Sequence, residues 1–196
     1  MSSPDPVAVA LPQTLLALLQ ASGERSLMLI DGGSGSGKST LARLLASRWP
    51  GAQPTLVRLD DIYPGWAGLD EASRHIHEHL LTPWRDGVPG RWQEFDWVKQ
   101  RRSRWHEVDP RRGLLVEGCG TMSRANTPLA DVRIWVEADA DLRKRRALAR
   151  DAGVFDAHWD DWAADFDRYV AREQPRSRAD AILDGSREKA FTLVAR

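Results

Sequence analysis

The sequence predicts an α/β fold in which a five-stranded, mainly parallel sheet lies between two layers of helices. Short apolar runs of strand length alternate with segments whose apolar residues recur every three or four positions. The first apolar run stops at a glycine-rich loop, as a buried parallel strand does before its crossover helix. The 196 residues have the length of one domain, so we predict a single domain over 1–196 with a loose tail at 1–11.

The elements of the first part of the chain each follow from an apolar pattern and a stop signal. Pro12 suits a first helical position, and the leucines after it form one face that ends near Gly23. The apolar runs SLMLID and TLVRLD have strand length, and the helical pattern between them stops at Pro50. Helices are therefore predicted over 12–23, 37–49 and 71–81, and strands over 26–31 and 55–60.

The second part of the chain resumes this alternation after a long insertion over 62–112. The part of the insertion over 82–112 is rich in Pro, Gly, Trp and charge and shows no readable pattern. The runs GLLVE, VRIWV and ADAIL then have the length and composition of buried strands. Strands are predicted over 113–117, 132–136 and 179–183, and helices over 139–150 and 156–173. A short acidic segment at 150–157, which we call the lid, joins these two helices.

The composition argues against several classes of protein. Lys and Arg number 28, as do Asp and Glu, whereas a nucleic-acid or membrane-surface binder normally carries a basic excess. The single cysteine excludes an intramolecular disulfide. No apolar run approaches the roughly 18 residues of a membrane span, and the N-terminus lacks the basic start of a secretory signal. We therefore expect a cytoplasmic protein with neither nucleic-acid nor membrane partners.

The loop after the first strand matches a phosphate-binding motif, the P-loop. Its residues GGSGSGKS fit G-x-x-x-x-G-K-[ST] at every fixed position, between a predicted strand and a predicted helix. Glycines allow the positive φ angles that turn backbone N–H groups toward phosphate oxygens, and the helix N-terminus adds its dipole. Lys38 is expected to reach the β- and γ-phosphates, and Ser39 to ligate Mg²⁺. The motif predicts a P-loop NTPase fold with a nucleotide site at Gly33, Ser34, Gly35, Ser36, Gly37, Lys38, Ser39 and Thr40.

The remaining motifs favour a small-molecule kinase among P-loop proteins. The chain lacks the guanine motif N-K-x-D and the transporter signature L-S-G-G-Q, and it has no room for a motor's accessory domains. A small kinase needs an acid near the acceptor hydroxyl, a second acid near Mg²⁺, and arginines around the transferred group. Asp60 and Asp61 end the second strand, and Glu117 ends the third. Asp60 is the preferred base, and Asp61 stays open as the alternative.

These motifs resemble the uridine kinase group of nucleoside kinases, which is related to phosphoribulokinase and bacterial pantothenate kinase. The resemblance rests on IDGGSGSGKST, LDDIY, FDW, LLVEG and RRALARD, and it runs from about Leu27 to Leu183. It implies a kinase that uses ATP and Mg²⁺ to phosphorylate a hydroxyl of a nucleoside-like small molecule. In such a kinase the insertion over 62–112 would lie on the acceptor side.

The resemblance also implies roles for single residues. Asp60 matches the acid that accepts the proton of the acceptor hydroxyl, and Glu117 matches the acid on the Mg²⁺ side. Arg146 and Arg150, which share a helix face, match arginines that face the triphosphate. The expected sets are Lys38, Asp60, Arg146 and Arg150 for catalysis; Ser39, Glu117 and Asp60 for the metal; and Asp60, Tyr63, Trp66, Phe95, Asp96 and Trp97 for the acceptor.

The chain departs from the uridine kinase pattern where substrate identity is set. The segment RWQEFDW replaces the family's histidine-containing acceptor segment, and the lid is acidic rather than rich in Arg and Gly. Three alternatives stay open: a kinase of a non-nucleoside alcohol such as a vitamin precursor or sugar, a nucleoside monophosphate kinase, and an ATP-binding regulator with little turnover. The second would use arginines among Arg58, Arg74, Arg85 and Arg91 to hold a substrate phosphate. A homodimer also stays open.

Two further groups are expected to be structural. His75, His77 and His79 lie on a predicted helix, which distributes them over different faces and argues against a metal site. Cys119 is expected to be a small packing residue, because phosphoryl transfer needs no covalent step.

Overall fold

The central sheet has six strands, and a separate hairpin supplies two more. The computed structural model describes residues 10–150, 153–187 and 190–194. The strands are β1 (Leu27–Asp31), β2 (Thr55–Arg58), β3 (Gly90–Asp96), β4 (Arg101–Val108), β5 (Leu114–Glu117), β6 (Val132–Glu137), β7 (Ala181–Asp184) and β8 (Thr192–Leu193). The order in the central sheet is β2-β5-β1-β6-β7-β8. Its first five strands are parallel, and β8 pairs antiparallel with β7.

The predicted α/β fold is confirmed, with one strand more than expected. The five predicted strands all form and supply the parallel part of the sheet. The sixth strand, β8, has only two residues, which is too short to produce an alternating pattern in the sequence.

Helices cover both faces of the sheet, because successive side chains of a strand point to opposite faces. The helices are α1 (Gln13–Ser22), α2 (Lys38–Ala46), α3 (Leu69–Ile76), α4 (Thr82–Arg85), α5 (Ala140–Arg150) and α6 (Trp159–Glu173). Met28 and Ile30 of β1 belong to the core formed with α1 and α2. Leu27 and Leu29 belong to the opposite core, which also contains buried residues of α3, α4, α5 and α6. None of the helices in the described ranges is long and apolar enough to cross a membrane.

The insertion over 62–112 consists of helical turns followed by the β3–β4 hairpin. The predicted helix over 71–81 belongs to a longer helical segment, in which a π-helical turn at His77–Leu81 joins α3 to α4. The hairpin was not predicted, because β4 is exposed along most of its length and so has no apolar alternation. Its register also shifts between Gln93 and Phe95.

The predicted second strand ends two residues early, and this difference shapes the site. β2 ends at Arg58, and Leu59–Asp61 forms a 3-10 turn instead. The predicted tail falls mostly on residues 1–9, which lie outside the described residues, as do residues 151 and 152 of the predicted lid.

Candidate active site

The P-loop connects β1 to α2 in a conformation that requires its glycines. Gly32, Gly35 and Gly37 have positive φ angles, which side-chain-bearing residues rarely adopt. A Cβ on Gly32 would also collide with the carbonyl oxygen of Val136, and one on Gly35 with that of Arg143. α2 begins at Lys38, so its free N–H groups border the loop. The backbone can therefore bind an anion at this point.

Lys38 is buried and reaches back across the loop. Its Nζ donates to the carbonyl oxygen of Gly33 at 3.0 Å and lies 3.6 Å from Cys119 Sγ. Burial lowers the pKa of Lys38, but the Cys119, Glu117 and Asp60 groups nearby outweigh it and raise this pKa above its usual value. Lys38 is therefore a cation at neutral pH.

The loop brings Ser39 against Glu117, the two residues predicted to face a metal. The Ser39 hydroxyl lies beside the Glu117 carboxyl group, where it lowers the pKa of that group. Glu117 is buried, and its Oε1 has no hydrogen-bond partner and lies 3.6 Å from Arg58 Nε. Burial raises the pKa of Glu117, although Lys38 opposes this shift. A buried carboxylate oxygen without a partner, beside a hydroxyl, fits Mg²⁺, which prefers oxygen ligands.

The protein by itself supplies an incomplete shell for that ion. Within the described ranges, no group of three or more His, Cys, Asp or Glu residues can hold a metal. The three histidines of this region do not converge on one point. The ring centroids of His75 and His79 lie 4.9 Å apart, whereas His77 contacts Asn126. Mg²⁺ commonly takes one or two protein ligands and completes its shell with substrate phosphates and water.

Asp60 lies at the other side of Arg58, at the end of β2. Its Oδ2 is 3.7 Å from Arg58 Nη2 and 3.8 Å from Arg150 Nη1. Trp97 Nε1 donates to the backbone oxygen of Asp60 at 2.9 Å, which attaches the hairpin to this turn. Asp61 is half-buried on the hairpin side. Burial raises its pKa, the nearby Glu94 raises it further, and His106 opposes the shift.

A cavity of about 320 Å³ lies between the P-loop, the end of β2, the hairpin and the lid. Its lining residues are Ser34, Asp60, Tyr63, Trp66, Trp97, Gln100, Arg150, Val154, Phe155 and Trp162. Trp66 stacks between Phe155 at 4.9 Å and His158 at 4.7 Å, and it contacts Trp97 at 4.9 Å. Five of these ten lining residues are aromatic, and we call this space the acceptor cavity.

Two residues predicted for the acceptor lie outside the lining of this cavity. Phe95 is buried behind Trp97, with an edge-to-face ring contact at 5.4 Å. Asp96 caps the hairpin turn instead: its Oδ1 accepts from the backbone N–H groups of Val98 at 3.1 Å and Lys99 at 2.9 Å. Asp96 follows Phe95 directly in the strand, and neighbouring strand residues face opposite sides. The Asp96 side chain therefore does not point the same way as the Phe95 ring.

The arginines of α5 separate along the helix. Arg150 lies at the acceptor cavity, as described above, whereas Arg146 donates to the carbonyl oxygens of Gly185 at 2.7 Å and Ser186 at 2.8 Å. Arg143, a weaker expectation from the sequence, covers the P-loop so closely that a Cβ on Gly33 would collide with its guanidinium. Two helical turns separate Arg143 from Arg150, so the phosphate loop and the cavity each receive one arginine.

Asp31 also borders the P-loop, and no sequence motif pointed to it. It is fully buried at the end of β1 and accepts from the N–H groups of Gly32, Gly120 and Met122 and from the hydroxyl of Tyr169. The available signal was a charged residue that ends an apolar strand, the same signal that pointed to Glu117. Gln100, Phe155 and Trp162 also went unassigned, since they reach the cavity only through the tertiary fold.

Comparison with known proteins identifies relatives of this chain. No family model matches it. It is 32% identical over 138 residues to a uridine kinase of Staphylococcus epidermidis RP62A, which covers 62% of this chain and 66% of that protein. A uridine kinase of Brevibacillus brevis is 27% identical over 144 residues, which covers 66% and 67% of the two chains. The Staphylococcus match thus spans just under two thirds of that relative's own length.

Solved structures share the fold. A possible uridine kinase from Bacillus stearothermophilus matches with a TM-score of 0.61 at 20% identity, over 86% of this chain and 95% of the other. A proposed fructose transport system kinase from Silicibacter sp. TM1040 matches with a TM-score of 0.52 at 19% identity, over 90% and 96%. The chain thus resembles uridine kinases in sequence, and it shares the fold of these solved kinase structures; both findings support a uridine kinase-like P-loop kinase.

Proposed function

We propose that the protein is an ATP-dependent kinase that transfers the γ-phosphoryl group to a hydroxyl of a nucleoside-like small molecule. The observation that carries this proposal is one cavity lined both by Ser34 of the P-loop and by Asp60. A hydroxyl placed in that cavity would lie between a carboxylate and the phosphate loop, which is the arrangement that in-line phosphoryl transfer requires.

In the proposed reaction, Asp60 orients the acceptor hydroxyl and takes its proton as the hydroxyl oxygen attacks the γ-phosphorus. The bond from that phosphorus to the β–γ bridging oxygen breaks, and ADP leaves. Lys38 and Arg143 at the P-loop and Arg150 at the cavity offset the charge on the transferred group. We propose no direct phosphate contact for Arg146, whose two bonds hold the loop after β7.

Ser39 and Glu117 are the residues that would hold Mg²⁺, on the strength of their mutual contact and the unpartnered Glu117 oxygen. When bound there, the ion would neutralise charge on the β- and γ-phosphates.

The lining of the acceptor cavity favours a planar, uncharged acceptor. Flat rings suit the aromatic wall formed by Trp66, Trp97 and Phe155. A nucleoside monophosphate would need further cations, but Arg150 is the one arginine in this lining among the residues that the structure describes. Arg85 instead pairs with Asp131 at 2.9 Å, and Arg91 lies over the Trp105 ring. A planar alcohol that is not a nucleoside remains the second candidate.

The test is a screen for ATP-dependent phosphorylation of nucleosides, sugars and vitamin-precursor alcohols, with mass spectrometry of the products. Asp60→Asn is expected to lower turnover at least about 100-fold, the usual contribution of a general base, while ATP binding persists. Asp61→Asn is the matched control and is expected to stay within a few-fold of the wild type.

Three results would count against parts of this proposal. If the protein phosphorylates other alcohols but no nucleoside, the nucleoside-like acceptor is rejected and the kinase activity stands. A larger loss of turnover in Asp61→Asn than in Asp60→Asn would identify Asp61 as the base instead of Asp60. Nucleotide binding without any phosphorylated product would favour a regulator.

A further inference from the structure

Trp162 connects the P-loop to the acceptor cavity. It is buried on α6, and its Nε1 donates a hydrogen bond to Ser34 Oγ at 3.0 Å. Its ring also meets Tyr63 edge-to-face at 4.8 Å and lies near Phe155, so the same side chain belongs to the aromatic wall. No recognised motif contains this tryptophan, and its position 128 residues from Ser34 hides the contact from the sequence.

The Ser34–Trp162 pair lies between two cavities. Both residues line the acceptor cavity, and both line a second cavity of about 250 Å³ between α5 and α6, which also contains Arg143. Arg143 is the arginine that covers the P-loop. The hydrogen bond therefore lies between the acceptor side and the phosphate side of the site.

The chemistry of the indole determines which atom donates in this hydrogen bond. An indole N–H is only a donor, so Ser34 Oγ must be the acceptor in this contact. The hydroxyl proton then points elsewhere. The other hydrogen-bonding contact of this hydroxyl in the described structure is with Cys119 Sγ at 3.7 Å, and sulfur is a weak acceptor. The Ser34 proton is thus available to a stronger acceptor such as a phosphoryl oxygen.

We propose that Trp162 is a positioning residue, which holds the Ser34 hydroxyl so that its proton is donated to an oxygen of the γ-phosphoryl group during transfer. This inference rests on the proposed kinase function. Because the same indole also contacts the wall of the acceptor cavity, its loss should reduce transfer to the acceptor more than it reduces ATP binding.

The test is a double-mutant cycle with Trp162→Phe, Ser34→Ala and the double variant. Trp162→Phe keeps an aromatic ring but removes the donor, and Ser34→Ala keeps the indole but removes the acceptor. Each single change is expected to lower kcat by about 3-fold to 10-fold, the range for one hydrogen bond, with a smaller change in KM for ATP. The double variant is expected to match the single variants, because both remove the same interaction.

Trp49→Phe is the matched control, since it also removes an indole donor from a buried tryptophan: Trp49 Nε1 donates to the carbonyl oxygen of Glu24 at 2.9 Å, and Trp49 lines neither cavity. It is expected to keep kcat. Effects of Trp162→Phe and Ser34→Ala that multiply in the double variant would overturn the proposal. So would an equal loss of kcat in Trp49→Phe, which would indicate a general packing effect. Urea unfolding of each variant identifies any that fail to fold, and Ser34→Ala then provides the decisive comparison.

A second readout separates this proposal from the kinase assignment. The dissociation constant of Mg·ATP can be measured for all four proteins without any acceptor, because the Ser34 proton would also reach the γ-phosphate of bound ATP. If no acceptor is phosphorylated by the wild type, the kinase function fails. The positioning role is then supported by non-additive changes in ATP affinity and overturned by additive ones.

Discussion

Asp31 shows how much a single residue contributes to the geometry of the site. Its carboxylate accepts from Gly32 at 2.6 Å, Gly120 at 3.1 Å, Met122 at 2.9 Å and the hydroxyl of Tyr169 at 2.6 Å. These donors belong to the P-loop, the segment after β5 and helix α6. Burial raises the pKa of Asp31, whereas the hydrogen bonds from Tyr169, Met122 and Gly32 and the nearby charge of Lys38 oppose that shift. One satisfied buried carboxyl group therefore joins three segments around the phosphate loop.

Tyr169→Phe tests this connection. The variant removes one donor from a buried carboxylate, and we expect a loss of about 1 to 3 kcal/mol in the free energy of unfolding. Urea denaturation measures it. Arg168→Ala is the control, since this exposed neighbour pairs only with exposed Asp165 in the described structure and should change stability by less than about 0.5 kcal/mol. Equal stabilities of Tyr169→Phe and the wild type would show that the hydroxyl contributes nothing.

Glu117→Gln tests the proposed role of this carboxylate in holding Mg²⁺. A glutamine keeps the shape but removes the charge, so the Mg²⁺ concentration for half-maximal activity should rise by about tenfold or more. Because burial raises the pKa of Glu117, the carboxylate of the wild type protonates at a higher pH than an exposed glutamate does. Protons and Mg²⁺ compete for this carboxylate, so the Mg²⁺ concentration that the wild type needs for half-maximal activity should rise on acidification. Glu107→Gln, at an exposed position of β4, should leave both properties unchanged.

At the scale of elements, two kinds of contact hold the insertion to the domain: a hydrogen bond to a neutral histidine, and hydrogen bonds from tryptophan rings that are buried or partly buried. His75 on α3 accepts from the backbone N–H of Gln93 on β3 at 3.1 Å, and Trp84 on α4 is fully buried with its Nε1 donating to Arg112. Trp97 attaches the hairpin to the turn that carries Asp60. Displacing the hairpin would therefore also displace Asp60, the proposed base, and the cavity wall.

The His75 contact predicts a pH dependence of stability. Burial, with help from Arg102, lowers the pKa of His75 from 6.5 to about 4. The unfolded chain takes up this proton near pH 6.5 and the folded protein only near pH 4, so stability should fall as the pH drops between these values. Urea unfolding at pH 7 and pH 5 measures the fall, and His75→Gln should reduce it. His79→Gln should not, and an unchanged fall in His75→Gln would contradict the prediction.

At the scale of the whole molecule, the site forms where parallel strands end at one edge of the sheet. Asp31, Arg58 and Glu117 end β1, β2 and β5, which are neighbours in the order β2-β5-β1. Helices α5 and α6 come from the far end of the chain and cover this edge with Arg143, Arg150 and Trp162. Because the site draws on the sheet and on both helices, nucleotide binding should stabilise the whole domain against unfolding and not the P-loop alone.

Thermal unfolding tests that expectation. Mg·ATP at 100 times its dissociation constant adds about 2.7 kcal/mol of stability, which at roughly 2 to 4 °C per kcal/mol corresponds to a rise in Tm of about 5 to 11 °C. Lys38→Ala should lose most of this rise. A larger rise with Mg·GTP than with Mg·ATP would contradict the assignment of ATP as the donor.

Several features were predictable from the sequence because their signals are local. The five parallel strands follow from apolar runs, and the phosphate loop follows from glycines and a lysine at fixed spacing. Asp60 and Glu117 were singled out as candidates because charges that end apolar strands lie at the carboxyl edge of a parallel sheet. In each case the residue type and its near neighbours carry the information.

The acceptor cavity was only partly predictable because it depends on side-chain direction across long sequence separations. Asp60, Tyr63, Trp66 and Trp97 line it as expected, but Asp96 caps a turn and Arg146 binds the loop after β7. The hairpin also left no pattern, since an exposed strand needs no apolar alternation. The sequence alone therefore determined the fold class and the phosphate loop, whereas the tertiary structure decided which rings and charges surround the acceptor, because packing sets where each side chain points.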